Sequence, residues 1–187
     1  MMLVVLLGMM VFVSLFGPDA GGVMLVWQAG LAAACLLMVA WQGGAWQTCL
    51  PAAVGAVVLG GLVAWHLRAR VHPVRHGYAL LLRLGGGLLM VALLSIAVPP
   101  DALDVEGRLE VVAGLSAISC GLIAAGVERD RARQCAALAC ALEGWLLLSG
   151  IAGRALPVVV GCMMLAAMVF MIRMTMPRDP ATGDGAW

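Results

Sequence analysis

Glu143 is the acid with the longest apolar sequence on both sides of it, in the run CAALACALEGWLLLSGI over residues 135–151. If that run is a transmembrane helix, Glu143 stands at its midpoint, about 12 Å from each end at about 1.5 Å rise per residue. A carboxyl group there costs about 2.5–3.5 kcal/mol on insertion scales, so such groups face the interior of a bundle. Two roles suit it: a group that carries a proton, or an acid that pairs with a base and holds helices together. The residues before it are rich in arginine, with Glu128, Arg129, Asp130, Arg131, Arg133 and Gln134 between two apolar runs. Arg83 is the one base inside an apolar run. Its guanidinium either snorkels to the nearby interface or faces a carboxylate such as Glu143.

Other residues with chemical potential are weaker candidates. His66, His72 and His76 are spaced H-x5-H-x3-H, but Pro73 lies between the last two and argues against a helical metal-binding face. The six cysteines, at 35, 49, 120, 135, 140 and 162, form no CxxC pair and mostly fall inside apolar runs, where they read as small packing residues. No histidine sits within a span to hold a haem, and no phosphate loop, nucleophile elbow or dinucleotide fingerprint is present. The expectation is therefore a chain with no metal, no cofactor and no catalytic centre of its own.

Composition places these residues in a membrane. Of 187 residues 64% are hydrophobic and 11% charged, with a mean hydropathy of +1.06, against about one quarter charged in soluble domains. The net charge of +1 comes from arginines in short loops, which excludes a nucleic-acid-binding face. All eleven of the Lys and Arg residues are arginine, which indicates GC-rich codon usage and a bacterial source.

The expected fold is an all-α integral membrane bundle of about seven transmembrane helices, residues 1–173, followed by a polar tail over 174–187. The spans are read at 1–16, 22–41, 48–66, 78–98, 111–127, 135–151 and 157–172. Trp27 and Trp41 mark the interfaces of the second, and the uncharged link QGGAWQ makes a tight hairpin to the third. Pro51 falls in the first turn of the third span, and Pro99 and Pro100 end the fourth before the acidic loop PPDALDVEGRLE. With seven spans the arginine-rich loops share one side with the tail. The positive-inside rule then places the N-terminus outside and the C-terminus in the cytoplasm.

The hairpin around Glu143 resembles component E of hydrogenase-4, a relative of the K subunit of respiratory complex I. The residues that carry the resemblance are Gly121 and Leu122, Arg129, Arg133 and Gln134 in the turn, and Cys140 and Glu143 in the second helix. Gln28, in WQAGLAAA, is similar to a glutamine in the second helix of that component. The resemblance implies a small non-catalytic subunit in the membrane arm of a group 4 hydrogenase or formate hydrogenlyase-like complex of a bacterial inner membrane. Its partners would be antiporter-like membrane subunits and the lipid bilayer. Glu143 would belong to the proton path, with Arg129 and Arg133 as cytoplasmic neighbours. The chain departs from that pattern where Gly144 and Trp145 follow the glutamate and where the last span has no second acid. A stand-alone small transporter would instead show several polar groups converging at the midplane, and an assembly protein would need no proton on Glu143.

Overall fold

A chain this apolar has no water to satisfy its backbone at membrane depth, so it must close its amide hydrogen bonds within helices. The computed structural model describes residues 2–16, 22–67, 78–98 and 104–175, and all regular structure among them is helical. The elements are α1 (Met2–Phe16), α2 (Gly22–Trp41), α3 (Trp46–Leu67), α4 (Tyr78–Ala97), α5 (Val105–Val127), α6 (Arg131–Ile151) and α7 (Ala155–Thr175). Helices α2, α3, α5, α6 and α7 are long and apolar enough to cross a membrane. The described apolar stretches of α1 and α4, Met2–Leu15 and Leu84–Ala97, are shorter. The protein is a membrane-type helical bundle, as its composition requires.

Several helices extend beyond the apolar runs that announced them. α5 begins at Val105, inside the acidic loop expected over 99–110, and α6 begins at Arg131, inside the expected arginine turn. Hydropathy marks where a helix leaves the hydrocarbon, whereas caps mark where it ends. At α6 the cap is Asp130, whose side chain accepts from the Ala132 amide at 3.2 Å. At α5 the Asp104 carbonyl accepts from the Arg108 amide at 2.8 Å, and the Arg108 guanidinium donates to the Ser95 carbonyl at the end of α4. α3 begins at Trp46, so Pro51 is its sixth residue and lies past the first turn. The expected α2–α3 hairpin forms, with Gly43 at φ 101°, a conformation that an L side chain rarely adopts.

α6 is the axis of the bundle, packed by α2, α3, α5 and α7. Small residues let α5 approach it closely. A methyl group on Gly121 would lie 2.6 Å from the Ala137 carbonyl oxygen and 2.7 Å from the Ala141 amide nitrogen, and one on Gly144 would lie 2.9 Å from Ala117 Cβ. Backbone therefore meets backbone along this hairpin, the arrangement by which membrane helices gain van der Waals contact without a hydrophobic driving force. The outward faces carry Trp27, Trp65, Leu89, Ile96, Phe170 and Met171, all exposed to the surroundings that lipid would occupy.

The start of α3 is tied to the end of α6. Thr48 Oγ1 donates to the Gly150 carbonyl at 3.0 Å, and Cys49 Sγ approaches the same oxygen at 3.4 Å. The same carbonyl accepts from the Gly153 amide at 3.1 Å, so the last turn of α6 is closed by its own chain and by α3 together.

Gly121→Ala is expected to destabilise the detergent-solubilised protein by about 1–3 kcal/mol, because the backbone it would strike cannot move aside. Gly126→Ala, on the same helix with open space around its Cβ, should leave the thermal midpoint unchanged. A Gly121→Ala protein that melts with the wild type would show that the hairpin is looser than described.

Candidate functional site

Glu143 is fully buried, at 0% exposure, on the side of α6 that faces α3 and α2. Its carboxyl oxygen Oε1 lies against the backbone of Gly60. A methyl group built on that glycine would collide with Oε1 and stand 3.1 Å from Ala29 Cβ of α2. Gly60 closes a π turn, Ala56–Gly60, set into the otherwise α-helical α3. Neither carboxyl oxygen of Glu143 has a hydrogen-bond partner among the described residues.

Gln28 is the next polar group. It too is fully buried, on α2, and its Nε2 donates to the Cys140 carbonyl of α6 at 3.2 Å, while its Oε1 has no partner among the described residues. Cys140 precedes Glu143 by three residues, so the amide is anchored to α6 within one turn of the carboxyl. About 100° round α6 from Glu143, Gly144 packs closely against Ala117 and the Gly114 carbonyl of α5. Ser116 Oγ of α5 is a further buried polar atom without a partner among the described residues.

The arginines of the α5–α6 turn do not come to this site. Arg129 is exposed in the α5–α6 turn, and Arg133 lies 3.7 Å from Glu128 and 3.8 Å from Asp130. Gln134 Nε2 donates to the Glu128 carbonyl at 2.7 Å, so Arg133 and Gln134 both engage groups of the turn itself. Ten residues of helix separate Arg133 from Glu143, about 15 Å along the axis. Arg83 belongs to α4, and its side chain lies outside the described residues, as do His72 and His76. His66 Nδ1 is within 2.8 Å of the Leu62 carbonyl on its own helix. Among the described residues no three His, Cys, Asp or Glu side chains gather to hold a metal ion.

The sequence reading picked out Glu143 and Gln28 but missed Gly60. A glycine in an apolar run carries no chemical signal, and the π turn that delivers it leaves no mark in hydropathy. Comparison of the chain with protein-family models, with curated proteins and with solved structures finds no match. The reading of function therefore rests on the site itself.

Among the described residues this carboxyl has neither a donor nor a counter-charge, and a group so placed contributes nothing to holding these helices together. Burial of such a group is a cost to the fold, whereas removing one member of a true buried pair is strongly destabilising. Glu143→Met, close in volume and apolar, is accordingly expected to raise stability by about 1–3 kcal/mol, read as a higher thermal midpoint in detergent or lipid nanodiscs. A lowered midpoint would make Glu143 a structural residue with a partner that this geometry does not contain.

Proposed function

We propose that the chain is a proton-carrying membrane subunit in which Glu143 accepts and releases a proton midway through the bilayer. In the fuller form of this reading it is a non-catalytic component of the membrane arm of a complex I-related, group 4 hydrogenase or formate hydrogenlyase-like complex, with antiporter-like membrane subunits as partners. The observation that carries the reading is the isolation of Glu143: a fully buried carboxyl, both oxygens without a partner among the described residues, at the meeting of three helices. A fold retains such a group against its cost when the group has a task.

One carboxyl is a single station. A path needs waters or polar groups before and after it, and a subunit of a larger arm obtains them from its neighbours. Gln28 is the adjoining station within the chain, since its Oε1 is left to accept while its Nε2 fixes the side chain to α6. The arginines support an orientation. Arg129, Arg131, Arg133 and Arg173 lie at the end shared by the C-termini of α5 and α7 and the N-terminus of α6, whereas Arg108 and Arg154 lie at the other end with Asp104, Glu106 and Glu110. We read the first end as cytoplasmic, with the N-terminus outside, in a bacterial inner membrane.

The test is to purify the full chain, tagged at its C-terminus, from its native membrane and to compare it with Glu143→Gln. Antiporter-like and hydrogenase subunits should co-purify with both. The variant should lose proton-coupled activity on the order of 100-fold, the lower end of what a positioned proton-transfer group contributes. A chain that purifies alone contradicts membership of a complex. An intact complex with undiminished proton coupling in Glu143→Gln removes the proton-carrying role.

A further inference from the structure

The π turn of α3 has no cause in its own side chains. Residues Ala56–Gly60 read AVVLG, with no polar group to insert into the helix ladder, and Pro51 lies five residues upstream of the turn. A π turn inserts one extra residue and changes the direction in which the following residues point, and such turns concentrate at functional sites. Here the residue it delivers to the α2–α6 side is Gly60, against the Glu143 carboxyl.

The glycines of α3 differ in what their missing side chains make room for. At Gly55 the space is filled by Cys162 Sγ of α7, at Gly61 the surroundings are open, and at Gly60 the space is filled by Glu143 Oε1. Ala29 borders the same space at 3.1 Å, a contact that a small shift relieves, whereas the carboxyl oxygen would have to leave. We propose that Gly60, set by the π turn, is the positioning residue for Glu143: it reserves the volume in which the carboxyl lies and so fixes the side from which a proton donor can reach it. The inference rests on the reading of Glu143 as a proton-carrying group.

Labelling with the hydrophobic reagent dicyclohexylcarbodiimide, applied to the full chain in its native membrane and quantified by peptide mass spectrometry at residue 143, reads the accessibility of that carboxyl directly. Gly60→Ala should lower the labelling rate on the order of tenfold, as small displacements of a reacting group do, while Gly61→Ala stays within about twofold of wild type. Glu143→Asp, one methylene shorter, withdraws the carboxyl from the added methyl, so adding it to Gly60→Ala should restore labelling at residue 143. If Gly60→Ala does not accumulate in the membrane, the same double variant should restore accumulation.

Wild-type labelling in Gly60→Ala, equal loss in Gly61→Ala, or a double variant no better than the single one overturns the proposal. Labelling requires no proton transport. The positioning role can therefore fail while Glu143→Gln still abolishes coupling, and the proton-carrying role can fail while Gly60 still sets the labelling rate.

Discussion

Every polar group at hydrocarbon depth must find its partner inside the protein, and that requirement separates Glu143 from the rest of the bundle. The helices close their own backbone bonds. Short hydroxyl side chains turn back on the helix that bears them: Ser14 Oγ donates to Met10 O at 2.8 Å, Ser95 Oγ to Val91 O at 2.7 Å and Ser149 Oγ to Trp145 O at 2.7 Å. Gln28 satisfies its donor on a neighbouring helix. Glu143 finds no such solution among the described residues, although it lies on the most buried helix of the five long spans. Gln28 Oε1 and Ser116 Oγ also go without a partner among the described residues, but Glu143 is the one fully buried acid among them.

Close packing is what keeps it open. Gly60 lies against the carboxyl with Ala29 beside it, and the next residue of α6, Gly144, packs against Ala117 and the Gly114 carbonyl. Side chains this small bring the helices together without offering a donor. Arg133 meanwhile lies at a helix end, where it faces Glu128 and Asp130. Among the described residues, charges are paired at a helix end and the acid at depth is not. The same small residues make the bundle sensitive, since a single methyl group at Gly121 or Gly60 meets atoms of another helix.

Much of this was legible in the sequence, and the exceptions have definite causes. Apolar runs announced the helices because hydropathy and span length are the same physical fact. They misplaced the starts of α5 and α6, because a helix continues past the hydrocarbon until a cap ends it; Asp130, a favoured cap residue, was the available signal. Glu143 declared itself by type, an acid where acids are expensive. Gln28 was noted through its resemblance to a glutamine in another family, and its role in bonding the Cys140 carbonyl needed the structure. Gly60 could not have been found: its importance is a volume it does not fill, in a turn whose register no local composition encodes.

The most direct test of the account is the infrared absorption of the Glu143 carboxyl in the full chain reconstituted in lipid, taken as a difference between wild type and Glu143→Gln. Hydrogen-bond donation to a carboxylic C=O lowers its stretching frequency, so a carbonyl without a donor absorbs at the high-frequency end of the carboxylic range. The account predicts such a band, lost in Glu143→Gln. A difference spectrum with only a low-frequency, hydrogen-bonded acid, or with only the bands of a carboxylate paired to a cation, would contradict the isolation of Glu143.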